Sequence, residues 1–147
     1  MGGFSLKIRN SVKAVIVEHG KLLVTKLVDE SGFFYLLPGG GQEPGEKLND
    51  CLIRECSEET GYDVEVQDLI FVRECFLDKD LHRVELIFKA EIRKETIATG
   101  MDKNQVGIEW IDLNNIIEEP LFPLDLRKLI QSYNEEQQEH VYLGEIH

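Results

Sequence analysis

The chain has no apolar run approaching the length of a membrane span, so no spanning helix is expected. Basic residues are in deficit: 16 Lys and Arg stand against 28 Asp and Glu, a net charge of −12. Polymeric DNA or RNA is gripped through clustered Lys and Arg on its phosphates, which argues against that class of partner. A small phosphorylated substrate stays compatible, because a divalent cation reverses the local sign of an acidic site. Cysteine is sparse and odd in number. Cys51, Cys56 and Cys75 form no C-x-x-C pair and no metal spacing, and read as buried thiols in a reducing compartment. Met1-Gly2-Gly3-Phe4-Ser5-Leu6 lacks the basic start and long apolar stretch of a secretory leader, and Leu6 occupies the place where a myristoylation signal needs Ser or Thr. The expected location is the cytoplasm, without membrane attachment. Repeats and low-complexity linkers are missing too, and 147 residues suit one domain with a sizeable core, read here as 1–147.

What is present is strand after strand. Residues 11–17 and 21–27, rich in Val, Ile and Leu, flank Glu18-His19-Gly20 and predict a β-hairpin. A short aromatic strand at 33–37 stops at Pro38. Residues 64–77 and 82–93 alternate and predict a long antiparallel pair, with Val84, Leu86, Phe88, Ala90 and Ile92 on one face. Another strand follows at 106–111, then helical segments at 113–118 and 124–133, split by Pro120 and Pro123. The polar tail from 134 onward ends in a short apolar strand at 141–143. Strands interleaved with a few helices predict an α/β fold, a mixed β-sheet flanked by helices.

The richest segment runs over 40–62, where a glycine turn meets a helix expected at 46–60 and stopped by Gly61. At 100° per residue Glu55, Glu58 and Glu59 fall within an arc of roughly 100°, nearly the arc of Leu48, Cys51 and Leu52. Three carboxylates extending a core-facing stripe repel one another unless a cation sits among them. All-oxygen sites of this kind suit Mg²⁺ or Mn²⁺.

Gly40, Glu46, Arg54, Glu55, Glu58, Glu59 and Gly61 occupy every fixed position of the Nudix box, and the chain resembles the Nudix hydrolase (MutT-like) family. Seven fixed residues at fixed spacing arise by chance about once in a billion starting positions. Cys56 and Tyr62 stand where the box has an aliphatic residue. The resemblance implies an α/β/α sandwich and hydrolysis of a nucleoside diphosphate linked to another moiety, by metal-assisted attack of water on phosphorus. It implies Glu55, Glu58 and Glu59 as Mg²⁺ or Mn²⁺ ligands, with the Gly39 carbonyl completing the shell. Glu55 or Glu59 accepts the water's proton, Arg54 orients a glutamate, and Glu46 supports the loop or the metal cluster from the start of the helix. Similar proteins are often homodimers.

Arg73, Lys79, His82 and Arg83 lie on or near the long hairpin that borders the cleft in similar proteins, and are candidates for phosphate or base contact. Trp110 reads as core before it reads as a base-stacking residue. For an extra carboxylate before the last strand the chain offers Asp102, while Gln105 cannot ionise. The spacing Gly40 to Gly45 is followed by Glu46-Lys47, so the phosphate-cradling lysine of a P-loop is missing. Sequence signatures of ADP-ribose, dinucleoside polyphosphate, NADH and coenzyme A hydrolases are not found. A nucleoside triphosphate or a nucleotide sugar stays open as substrate. The competing reading is a nucleotide-sensing module without catalysis, which completeness of the box disfavours.

Overall fold

The computed structural model describes residues 7–78, 80–101, 103–134 and 140–147, with the side chains of 77 and 78 excepted. In chain order the elements are β1 (Lys7–Val15), β2 (Val17–Glu18), β3 (Lys21–Asp29), β4 (Gly32–Leu36), β5 (Gly39–Gly41), α1 (Leu48–Thr60), β6 (Tyr62–Asp78), β7 (Leu81–Glu95), β8 (Gln105–Asp112), a 3-10 turn (Leu113–Glu118), α2 (Asp125–Asn134) and β9 (Tyr142–Glu145). One sheet is mixed and runs β5-β1-β7-β6-β9, with β1 parallel to β7 and β9 parallel to β6. In a second sheet β3 pairs antiparallel with β2, β4 and β8.

Alternation along the strands sends side chains to two separate cores. Val12 and Ala14 of β1, Leu23 of β3 and Phe88 and Ala90 of β7 pack with Cys51, Leu52 and Cys56 of α1. Val15, Leu22, Val24, Phe71 and Ile87 pack with Leu126 and Ile130 of α2. The strands thus form the middle layer of an α/β/α sandwich, with α1 on one face and α2 on the other.

Two expectations need correction. The first hairpin does turn at His19 and Gly20, but its first arm is broken at Ile16: residues 17–18 pair with β3, whereas residues 7–15 lie parallel to β7 in the other sheet. Leu23 N–H donates to the Ile16 carbonyl at 2.9 Å where the chain passes between sheets. Val12 and Ala14 on one face and Ser11 and Val15 on the other are all buried, and a strand buried on both faces needs more neighbours than a lone hairpin supplies. The box helix starts at Leu48, after a turn closed by Glu46 N–H to the Glu43 carbonyl, so Glu46 precedes the helix. Its other end is where the sequence put it: Gly61 takes a left-handed φ of 75° and its N–H caps the Ser57 carbonyl.

Candidate active site

Three successive glycines form β5, the edge strand beside β1, and Glu55 and Glu59 of α1 lie against it. Gly39 adopts a φ of 142°, a region reserved for glycine, and its N–H donates to Glu59 Oε1 at 2.9 Å. Glu59 is only 3 % exposed, so a helix glutamate expected to face inward does so. Glu55 lies against Gly40: a β-carbon there would sit 2.5 Å from the Glu55 carboxyl carbon. Glycine at that position is what leaves room for the carboxylate.

Arg54 is the hub of the acidic cluster. Its Nε donates to Glu46 Oε2 at 2.7 Å and its Nη2 to Glu46 Oε1 at 3.0 Å, a two-pronged pair that an ammonium cannot form. Its Nη1 donates to Glu55 at 3.1 Å and to Glu58 at 3.4 Å. Glu46 also accepts the Glu43 N–H, so it ties the turn to the helix. The guanidinium holds the Glu46 carboxyl down at about 2, and Glu46 in turn raises Arg54 above its ordinary value. Glu58 is steadied from the far side: the N–H groups of Thr99 and Gly100 donate to its carbonyl, and Gly100 packs on its side chain. Gln105, buried, donates from Nε2 to the Glu59 carbonyl at 3.0 Å, which pins the last turn of α1. Asp102 lies outside the described residues.

Residues paired across a ladder project to the same face, and on the α2 side this gives the mixed sheet a charged floor. Ser11 is opposite Glu85, and Glu85 opposite Arg73; Arg9 is opposite Arg83, and Arg83 opposite Cys75. Lys13, one step along β1, donates to the Leu37 carbonyl. A cavity of about 410 Å³ joins Glu55 and the glycines of β5 to Arg9, Ser11, Lys13 and Arg83. The glycines of β5 add no side chains of their own to this cavity, so Glu55 reaches it past bare backbone. A second cavity, also about 410 Å³, shares Lys13, Leu36 and Arg83 with the first and continues past Arg73 and Glu85 to Phe76 and Phe122.

The residues expected on the hairpin separate. Arg83 enters the cleft, and its Nε is buried without a hydrogen bond among the described residues. Arg73 lines the cleft too, but its Nε is committed to Glu85 at 2.9 Å. His82 pairs with Glu74 at 2.8 Å and stacks on Phe76, and it lines neither cavity. Lys79 lies outside the described residues. Trp110 meets Tyr62 edge to face, at 6.2 Å between centroids, beside the α1 core. Tyr62 therefore fills the box's aliphatic slot by aromatic packing. Arg9 and Lys13 were missed; the signal was there in β1, where Arg9, Ser11 and Lys13 place three polar groups on one face of a strand whose other face carries Ile8, Val12 and Ala14. Cys51 and Cys56 are not nucleophiles: burial raises the Cys51 thiol to about 12 and lifts Cys56 as well, so neither is a thiolate at neutral pH.

The NUDIX domain family model matches residues 7–133. The chain belongs to the Nudix family. Its fold and box were the expected ones, and the family places its chemistry as hydrolysis of nucleoside diphosphate-linked moieties. A relative from Methanocaldococcus jannaschii, an ADP-ribose pyrophosphatase, is 31 % identical over 127 residues, covering 84 % of this chain and 71 % of its own. The nucleoside triphosphatase NudI of Salmonella heidelberg is 37 % identical over 98 residues, 65 % of this chain and 60 % of the relative. In fold the chain is similar to a NUDIX hydrolase from Nitrosomonas europaea, with a TM-score of 0.76 at 20 % identity over 90 % of this chain and 92 % of the other. It is likewise similar to the MutT protein of Methanosarcina mazei Go1, with a TM-score of 0.72 at 22 % identity over 93 % and 100 %. Among the described residues no helix is long and apolar enough to cross a membrane.

Proposed function

We propose that this Nudix domain is a Mg²⁺- or Mn²⁺-dependent pyrophosphohydrolase that works at β5 and the last two turns of α1. The observation that carries the reading is Glu59, a carboxylate 3 % exposed and set on the Gly39 N–H. Buried carboxylates are costly, and they cluster where chemistry needs them. Glu55, Glu58 and Glu59 with the Gly39 carbonyl are the proposed ligands, an all-oxygen set that fits a hard cation. As they stand, no three acidic, His or Cys side chains among the described residues converge into a group that could hold an ion, so the glutamates would close together on the cation. Arg54, shared by Glu55 and Glu58, stands in as the neutralising charge. When bound, the cation supplies charge neutralisation at the phosphates and a more acidic water.

Of this chain's own groups, Glu55 or Glu59 takes the proton of the attacking water. Arg54 holds Glu55 and Glu58 in place, and Glu46 fixes Arg54 by its two-pronged pair. Arg83, with Lys13 and Arg9, holds phosphate oxygens against the floor of the cleft. Arg73 acts through Glu85 as a positioning residue. His82 is not assigned a substrate contact. The three free thiols favour a reducing, cytoplasmic setting.

Release of phosphate or mononucleotide should depend on added Mg²⁺ or Mn²⁺, vanish with a chelator and fall by about a hundredfold or more in Glu59→Gln. Retained nucleotide binding with no turnover on any substrate would instead favour the sensing module.

A further inference from the structure

The two aromatic rings that line the second cavity are held in different ways. Phe122 is fixed by its immediate surroundings: its N–H donates to the Tyr35 carbonyl at 3.1 Å, and its ring meets Phe34 edge to face at 6.1 Å. Phe76 is half exposed near the end of β6, where pairing with β7 turns irregular after Cys75. A phenylalanine in such a place keeps several rotamers open, and a ligand that stacks on it must freeze one of them at an entropic cost. What limits the Phe76 ring is His82, which lies on it with centroids 4.4 Å apart and planes 25° apart.

His82 is held in its turn. Its Nε2 pairs with Glu74 Oε1 at 2.8 Å, and the other oxygen of that carboxylate accepts the Tyr142 hydroxyl. Both Glu74 oxygens are thus committed, one to β7 and one to β9. The chain after Tyr142 is clasped at its far end as well: Asp125 N–H donates to the His147 carbonyl at 2.9 Å, and His147 N–H donates to Asp125 Oδ2 at 3.1 Å. Glu74 is opposite Val84, and His82 shares the Val84 side of β7. Glu74 and His82 therefore lie on the face of the sheet turned away from Arg73, Cys75, Arg83 and Glu85. Neither they nor Tyr142 line either cavity of the cleft, whereas Phe76 does. We infer that His82, Glu74 and Tyr142 are positioning residues, which set the Phe76 ring in the orientation on which the organic group of a substrate rests.

The relay rests on the hydrolase reading for its substrate, but its effect on binding is separable from turnover. The test uses the full chain with Mg²⁺ or Mn²⁺ and the nucleotide it turns over fastest. In Tyr142→Phe, which removes one oxygen at an exposed position, and in His82→Leu, KM should rise about fivefold while kcat stays within about twofold. His82→Tyr, which keeps a ring on Phe76, should recover most of what His82→Leu loses. In a Phe76→Leu background the same two substitutions should add less than about twofold, because the ring they act through is gone. By calorimetry, ADP, GDP, UDP or CDP, whichever binds the native chain most tightly, should bind His82→Leu about fivefold more weakly, and inorganic pyrophosphate, which has no ring to stack, should stay within about twofold. Effects that multiply in the Phe76→Leu background, a fall in kcat at unchanged KM, or an equal loss of pyrophosphate affinity overturns the relay while the hydrolase reading stands. If nothing is turned over, the hydrolase reading falls and the calorimetry decides: a loss confined to the nucleoside diphosphate supports the relay, and equal losses or none end it.

Discussion

At Gly40 an added methyl would stand 2.5 Å from the Glu55 carboxyl carbon, and at Gly39 it would stand 1.9 Å from the Val12 carbonyl oxygen. The difference between the two obstacles separates function from folding. Glu55 is the far end of a flexible side chain and can swing aside, whereas Val12 O belongs to the backbone of the neighbouring strand. Gly40→Ala should therefore cost little stability and lower kcat about tenfold or more, because the displaced carboxylate is a proposed ligand. Gly39→Ala should destabilise by about 2 kcal/mol or more, through both the clash and the positive φ. Thermal melts beside steady-state rates would read the two apart, and a large melting shift in Gly40→Ala would contradict the assignment. Both glycines were legible in the sequence as parts of the box, but their separate jobs were not, since only the fold shows which atoms each one faces.

The turn before α1 and the helix itself are joined through one ion pair. Gln42 Nε2 donates to the Glu46 carbonyl, Glu46 accepts the Glu43 N–H, and Arg54 grips the same carboxylate. Glu46 is depressed from an ordinary 4.5 to about 2, first by the Arg54 hydrogen bonds. A carboxylate lowered on folding lends stability above its unfolded pKa and loses it as pH falls through the folded one. The unfolding free energy should thus decline between about pH 4.5 and about pH 2, and decline less steeply in Glu46→Gln, as urea melts across that window would show. Parallel slopes would remove Glu46 from the account. Activity at neutral pH should fall less in Glu46→Gln than in Glu59→Gln, since Glu46 reaches the other carboxylates through Arg54. The sequence placed Glu46 inside the helix by extending the helical period too far. Pro44 and Gly45 build a turn there, and helix formation waits until Leu48.

Across the whole molecule the strands divide the apolar residues between α1 and α2, and β3 serves both sides: Leu22 packs with the α2 core and Leu23 with the α1 core, each fully buried. Leu23→Ala should cost about 2–5 kcal/mol in denaturant melts, the usual range for a leucine emptied from a tight core. A loss below about 1 kcal/mol would mean that the α1 core is looser than its packing indicates. The sequence by itself determined the Nudix box, the α/β class, the stop at Gly61, the long β6–β7 hairpin and the inward turn of Glu59, because these are properties of spacing along the chain; of the stripe expected to hold Glu55, Glu58 and Glu59, Glu55 is half-buried and the Glu58 side chain is 38 % exposed. Tertiary structure alone decided that β1 leaves its hairpin to lie parallel to β7, that Arg73 meets Glu85 while Arg83 does not, and that Arg9 and Lys13 share a cleft with Glu55. Those are meetings between strands far apart in the chain, and one-dimensional periodicity says which face a residue takes but not what comes to lie opposite it.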